Sequence, residues 1–190
     1  MRNISKTALL MLLLASAGLS FAASYPGQVP VTGETGGAAG SDSGVSWPEN
    51  RFVSGRGATE NCVTDKLTGL MWAKDANLFG EKTYSDALSV VTEMNNNSSA
   101  TGYNLCGFKN WRLPNLTELK SLVNYSQINQ ALWLNNSPQP FTNVQARLYW
   151  SSTISAPSSP YAWYVNFEDG HVDAIVTYYD NYVWPVRRVK

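Results

Sequence analysis

The chain has 190 residues, with 14 lysines and arginines against 14 aspartates and glutamates, and this length predicts a single folded domain. Two of the basic residues lie in an N-terminal segment that we expect to be removed, which leaves a net charge of −2 on the mature chain. That balance argues against general binding to nucleic acid or to anionic membranes, although Arg187, Arg188 and Lys190 form a local basic cluster.

The first 22 residues have the three parts of a secretory signal peptide. Arg2 and Lys6 supply the positive start, and residues 8–19 are apolar. Ser20-Phe21-Ala22 then places small side chains at the two positions that a signal peptidase reads. The apolar run is too short to span a bilayer, so we expect export to the periplasm, the cell surface or the medium, with no membrane span left after cleavage.

Residues 23–46 are rich in glycine, serine, threonine and proline and contain almost no large apolar side chain. This composition is typical of a flexible leader. Trp47-Pro48 is the first aromatic anchor after it. The predicted organisation is therefore a signal peptide over residues 1–22, the leader, and one folded domain over residues 47–190.

The two cysteines, Cys62 and Cys106, belong to a chain that we expect to be exported. An oxidising compartment favours a disulfide between them, and closing a loop of this length stabilises a fold by about 3–4 kcal/mol. Two thiols and the single histidine, His171, are few for a zinc site. Free thiols and a metal site are therefore the less favoured alternatives.

A β-hairpin is predicted near the start of the domain. Residues 51–53 and 61–64 have the composition of short strands. Asp65-Lys66-Leu67-Thr68-Gly69 supplies the side-chain acceptor and the glycine that a tight turn needs. Leu70-Met71-Trp72-Ala73 follows as a buried strand, so the two runs on either side of the turn are expected to pair.

Two helices are predicted from capping signals and apolar spacing. Thr83 begins the first, with Asp86 three residues later in the manner of a capping box. In the second, Asn115 follows a proline as N-cap and Glu118 can complete a capping box. Residues 124–146 are expected to be mostly loop. The apolar faces are Tyr84, Ala87, Leu88, Val91 and Met94 in the first helix, and Leu116, Leu119, Leu122 and Val123 in the second.

The C-terminal third is predicted to be β-structure. Residues 148–153 form the first strand, and residues 161–167 alternate in character as the second. Asp169-Gly170 is a strong hairpin signal, after which the chain returns. Residues 182–189 close the fold as a strand that is an edge or carries a bulge, because Pro185 cannot donate to a ladder.

Tyrosine, asparagine and aspartate are dense in this last segment. Tyrosine offers a rigid face with a polar tip, and the shorter side chains offer adaptable hydrogen bonds, which together suit a sugar. Strand alternation leads us to expect Trp163, Val165 and Phe167 to point inward. The predicted ligand-binding residues are Tyr164, Asn166, Asp169, His171, Asp173, Tyr178, Tyr179, Asp180 and Tyr182.

Two other chemistries stay open for the same segment. A Ser–His–Asp arrangement would combine His171 and Asp173 with a serine, but nothing in the spacing places Ser151 or Ser152 on a strained turn. Acidic and amide oxygens of the kind that calcium takes lie across two turns without regular ligand spacing. We therefore expect no catalytic residue and no cofactor, with calcium as the alternative. The oxygen donors are Glu168, Asp169, Asp173, Asp180 and Asn181.

An ordered set of motifs runs through the domain, and in this order the set resembles the Lcl C-terminal domain family over about residues 47–190. Each motif alone is weak, whereas the ordered set is specific. The motifs are Asp65-Lys66-Leu67-Thr68-Gly69-Leu70-Met71-Trp72, Trp111-Arg112-Leu113-Pro114-Asn115 with Glu118-Leu119, Tyr149-Trp150-Ser151-Ser152-Thr153, Ala162-Trp163 and Val186-Arg187.

The resemblance implies an α+β fold of the C-type-lectin-like group, near the formylglycine-generating-enzyme type: two helices packed on a small, twisted antiparallel sheet, with one disulfide. The naming member is a bacterial surface adhesin whose domain is a trimer and binds sulfated glycosaminoglycans through a basic surface. This chain departs from that basic character, because its mature form has a net charge of −2. The C-terminal cysteine pair of the formylglycine-generating relatives is also missing, since no cysteine follows Cys106.

We therefore expect an exported, non-catalytic recognition domain of a bacterial protein, which binds a carbohydrate or another surface macromolecule in the manner of an adhesin. The alternatives are an envelope enzyme or maturation factor of the formylglycine-generating-enzyme-like group, and a structural subunit of a surface assembly. A homotrimer stays open, because the short leader has no collagen-like repeat from which a trimer could be inferred.

Overall fold

The computed structural model describes residues 47–48, 50–157 and 159–189. The predicted signal peptide over residues 1–22 and the predicted leader over residues 23–46 lie outside the described residues. Within the described ranges, no helix combines the length and the apolar character that crossing a bilayer requires.

Along the described residues, three α-helices lie between four N-terminal and five C-terminal strands, which gives the mixed α+β class that we expected. The strands are β1 (Phe52–Ser54), β2 (Cys62–Asp65), β3 (Leu70–Ala73), β4 (Glu81–Lys82), β5 (Leu148–Ile154), β6 (Tyr161–Asn166), β7 (Val172–Val176), β8 (Asn181–Tyr182) and β9 (Val186–Arg188). The α-helices are α1 (Tyr84–Asn96), α2 (Leu116–Lys120) and α3 (Gln130–Asn135), with 3-10 turns at Gly57–Thr59 and Leu105–Gly107.

The strands form two sheets, so the expectation of one small sheet is wrong. The first sheet has the order β1-β2-β3-β9, and the second has the order β4-β8-β5-β6-β7. The predicted last strand is divided between them, because β8 joins the second sheet and β9 joins the first. Pro185 lies at this crossing and cannot donate, but its carbonyl accepts the N–H of Ala73 at 3.1 Å.

A buried ion pair holds the turn between β2 and β3. The Nε and Nη2 atoms of Arg51 donate to the two carboxylate oxygens of Asp65 at 2.9 and 2.7 Å. Asp65 also accepts from the N–H of Leu67 and from the hydroxyl of Thr68. Arg51 in turn donates to the Ser121 carbonyl at 2.7 Å. One carboxylate therefore shapes its own turn and ties it to the chain beyond α2.

The N-terminus of α1 lies where the sequence predicts it, with a different hydrogen-bond arrangement. Thr83 is the N-cap, and its Oγ1 accepts the N–H of Asp86 at 3.3 Å. The Asp86 carboxylate accepts the Thr83 hydroxyl rather than a backbone N–H, so the capping box is incomplete. Ala87, Val91 and Met94 are buried, but Leu88, which we expected on the apolar face, is exposed.

The capping box predicted for α2 is complete. Asn115 Oδ1 accepts the N–H of Glu118 at 2.8 Å, and Glu118 Oε2 accepts the N–H of Asn115 at 2.9 Å. The helix is shorter than its apolar spacing indicates, because Leu122 and Val123 donate to carbonyls three residues back. Both are nonetheless buried as expected.

The segment predicted as loop contains α3. Asn129 is its N-cap and accepts the N–H of Leu132 at 2.8 Å. Six residues are too few for a clear apolar period, and Leu132 is 61% exposed, which explains why the sequence pattern does not reveal this helix. Leu134 and Phe141 are buried.

The second sheet is buried on both faces at its centre. Tyr149 of β5 faces a core that it shares with the first sheet, α2 and α3, whereas Trp150 faces the core beneath α1. Val165 on β6 and Phe167 just after it are buried as predicted, but Trp163 on β6 is only half-buried. The predicted disulfide between Cys62 and Cys106 is present and joins β2 to the 3-10 turn after α1.

Candidate functional site

Four of the predicted ligand-binding residues share one face of the β6–β7 hairpin. Tyr164 lies directly opposite Asp173 in the antiparallel register. Two pairs further along, beyond Val165 and Val172, the N–H of Asn166 donates to the His171 carbonyl at 2.8 Å. Opposite residues of a ladder point to the same face, so these four side chains form one polar strip. Tyr164 is half-buried against the core beneath α1, and His171 and Asp173 are exposed.

At the tip of this hairpin, two of the predicted polar side chains accept hydrogen bonds from the backbone of the turn itself. Asn166 Oδ1 accepts the N–H of Glu168 at 3.0 Å, and Asp169 Oδ1 accepts the N–H of His171 at 2.9 Å. Those two oxygens are therefore committed to local structure. The Oδ2 atom of Asp169 makes no hydrogen bond within the described residues and remains accessible to a ligand.

A buried glutamine joins the hairpin tip to the loop between α2 and α3. The side chain of Gln130 accepts the N–H of Asn124 and donates to the Gln127 carbonyl, both at 2.8 Å. Its backbone N–H donates to the Glu168 carbonyl, and the next N–H along the chain donates to Phe167. The loop after α2 is thereby held against the tip of the hairpin.

The two elements enclose an open depression of about 400 Å³. Its polar walls come from both the hairpin and the loop after α2. We did not predict Lys120 or Tyr125, because no local pattern marks them: their position depends on the contact that Gln130 makes with a distant hairpin. The lining residues are Lys120, Tyr125, Asp169, Gly170, His171 and Val172.

The other predicted residues lie elsewhere. Tyr178, Tyr179 and Asp180 form the turn between β7 and β8, at the opposite end of β7 from the hairpin tip. A five-residue strand separates the two ends by about 15 Å. The ring of Tyr182 packs against buried Tyr149, with centroids 5.3 Å apart. The structure therefore does not bring the nine residues into one site.

The charges at the hairpin favour a protonated phenol at Tyr164. Burial raises the pKa of Tyr164, and the neighbouring carboxylates of Asp173 and Asp169 raise it further. The Nε2 atom of His171 is 4.0 Å from a carboxylate oxygen of Asp173, and both side chains are largely exposed. This separation gives a weak, solvent-screened pair. The strip thus offers a phenol donor beside acceptor oxygens.

The catalytic arrangement weighed above is not assembled. Ser151 is fully buried and its hydroxyl donates to the Trp163 carbonyl at 2.8 Å. The registers of β5, β6 and β7 separate Ser151 and Ser152 from His171 by roughly 15 Å. The described ranges also contain no group of three or more histidine, cysteine, aspartate or glutamate side chains arranged to hold a metal ion.

No curated protein matches the chain. The model of the Lcl C-terminal domain matches residues 61–187, which is more than half of the chain. The matched range begins just before β2, includes both cysteines and the hairpin-tip depression, and ends within β9. The chain therefore belongs to the Lcl C-terminal domain family.

Proposed function

We propose that this chain is an exported bacterial recognition protein, whose C-type-lectin-like domain binds carbohydrate without catalysis, in the manner of an adhesin. The disulfide supports export, because cytosolic thiols are normally kept reduced. The lectin-like assignment is supported by the family and by the architecture, in which two small sheets and a disulfide hold long connections in place. The ligand site that we propose is the hairpin-tip depression.

The depression carries the proposal because it combines an aromatic face with unpaired polar groups. Tyr125 is 43% exposed, so its ring can stack on the C–H face of a sugar. Asp169, His171 and Lys120 also line the depression, and their carboxylate, imidazole and ammonium groups can exchange hydrogen bonds with hydroxyl groups. Buried Gln130 holds the walls in place, which lowers the entropy cost of ordering them on binding.

A glycan array on the mature protein tests this proposal. We expect binding to at least one glycan class, and a loss of about tenfold in affinity for Tyr125→Ala, the order of magnitude of an aromatic contact. His171→Ala is also expected to weaken glycan binding. The matched control is Tyr178→Ala at the far end of β7. If Tyr178→Ala abolishes binding while Tyr125→Ala does not, or if no glycan binds, the assignment is wrong.

One observation favours a second candidate, a structural subunit of a surface assembly. The rings of Tyr178 and Tyr179 lie 5.0 Å apart, and 71% and 50% of these residues are exposed. Tyr161, opposite the end of β7, is also exposed. Exposed aromatic clusters are typical of surfaces that partners cover. Light scattering after size-exclusion chromatography, with a Tyr178→Ser/Tyr179→Ser variant, distinguishes a homotrimer held by this turn from a monomer.

A further inference from the structure

Two arginines are buried among the residues that the structure describes, and only one of them has an acidic partner there. Arg51 and Arg187 are 5% and 4% exposed. Arg51 meets the carboxylate of Asp65 through two hydrogen bonds. Arg187 has no such partner: the ion pairs within the described ranges do not include it. A buried cation without a counter-ion is costly, so the surroundings of Arg187 call for an explanation.

The partners of Arg187 are all uncharged. Its guanidinium carbon lies 3.6 Å from the ring centroid of Phe108. Nε donates to Asn110 Oδ1 at 2.7 Å, and Nη1 reaches the Met71 sulfur, a weak acceptor, at 3.6 Å. Nη2 makes no hydrogen bond within the described residues. Burial lowers the pKa of Arg187.

A groove of about 510 Å³ opens beside this guanidinium, where β9 pairs with β3. Met71, Phe108 and Val189 supply the apolar part of its lining, and Asn110 and Arg187 supply polar groups. Lys109 is a second cation at the rim. This volume lies within the range of small-molecule sites, and the groove shares no residue with the hairpin-tip depression.

We propose that this groove binds small monocarboxylates with an apolar body. The carboxylate meets Arg187 on its Nη2 side, and the apolar body lies between Met71, Phe108 and Val189. Nε is committed to Asn110, so a carboxylate is bound by the N–H groups of Nη2, and the second N–H of Nη1 can complete a bidentate pair. One buried cation matches one negative charge, and the carbon walls select a ligand whose remainder is apolar rather than a polyhydroxylated sugar. The groove is thus independent of the proposed carbohydrate site.

Titration of the disulfide-bonded mature protein with octanoate tests the proposal, with octanamide as the neutral ligand of the same length. NMR on labelled protein follows the Met71 methyl group and the Arg187 Nε–H. We expect octanoate to shift both signals in a saturable manner, and octanamide to bind at least tenfold more weakly. Absence of binding by octanoate, or equal binding by octanamide, would overturn the proposal.

Asn110→Asp provides a variant that does not depend on removing the arginine. In this variant a carboxylate oxygen replaces the amide oxygen to which Arg187 Nε donates. The carboxylate thereby supplies an internal counter-ion for Arg187. We expect the melting temperature to rise and octanoate affinity to fall at least tenfold. Asn136→Asp, at the exposed C-terminus of α3, is the matched control and should leave octanoate binding unchanged. Unchanged affinity in Asn110→Asp would also overturn the proposal.

Discussion

The ion pair between Arg51 and Asp65 is the interaction whose removal we expect to cost most. Asp65 is fully buried and accepts four hydrogen bonds, two from Arg51 and one each from Leu67 and Thr68. Asp65→Asn keeps the volume but removes the charge and one acceptor oxygen. Arg51 then stays buried with a neutral partner, and an amide N–H₂ group faces its guanidinium.

The expected loss follows from the burial of both partners. Breaking one side of a buried ion pair costs about 3–5 kcal/mol, of a total unfolding free energy of about 5–15 kcal/mol for a domain. Replacing both partners by apolar residues removes the unpaired charge. We therefore expect Arg51→Met/Asp65→Leu to be destabilised less than either single variant, with a residual loss of about 2–3 kcal/mol from the bonds to Leu67, to Thr68 and to the Ser121 carbonyl.

Urea unfolding followed by tryptophan fluorescence measures these differences, with the disulfide kept oxidised in every sample. Glu60→Gln is the control, because this acid is exposed and its loss should change stability by less than about 0.5 kcal/mol. An Asp65→Asn variant within about 1 kcal/mol of the natural protein, or strict additivity in the double variant, would refute the reasoning.

Three further predictions concern stability. Reduction of the disulfide, which closes a 44-residue separation, should lower the unfolding free energy by about 4 kcal/mol; a denaturant midpoint unchanged by reductant would contradict this. Gly170→Ala should lower the unfolding free energy by about 2 kcal/mol or more, because φ is +83° and the new Cβ would lie 2.6 Å from a methyl group of Val123. Gly69 also has a positive φ, but the space around its new Cβ is open. Gly69→Ala should therefore lower the unfolding free energy by less in the same unfolding experiment. Burial alone would raise the pKa of Glu118, but Arg112 and the Asn115 N–H hold it below its ordinary value. The stability that the ionised Glu118 contributes is therefore present above about pH 5 and is lost as pH falls through the lowered pKa. The unfolding free energies of Glu118→Gln and of the natural protein should thus differ more at pH 7 than at pH 3.

Local signals predicted the parts of the fold that local interactions decide. The caps at Thr83 and Asn115 and the turn at Asp65 each depend on a side chain bonding to a backbone group two or three residues away. Such bonds form in any tertiary context, so a sequence pattern identifies them. The Asp169-Gly170 hairpin is a further case, because the backbone of Gly170 has the positive φ that the turn requires.

Tertiary contacts decided the parts that the sequence did not reveal. The helix α2 stops at Lys120 because the next residues turn into the core, although their spacing fits a longer helix. The candidate site depends on buried Gln130, whose partners include the hairpin about forty residues later. No periodicity marks a polar residue that is buried by a distant contact, so the sequence pattern does not reveal that Tyr125 lies beside the hairpin tip or that the Tyr178 turn lies away from it.

The division of the C-terminal segment between two sheets has a consequence for how this chain folds. Met71 of β3 pairs with Arg187 of β9, 116 residues later, and β8 lies between β4 and β5 in the other sheet. Neither sheet reaches its full strand order until residues 181–188 have been synthesised. Contacts of such long range make folding slow. We expect a chain shortened before residue 181 to stay open to proteolysis, because both of its sheets then lack strands.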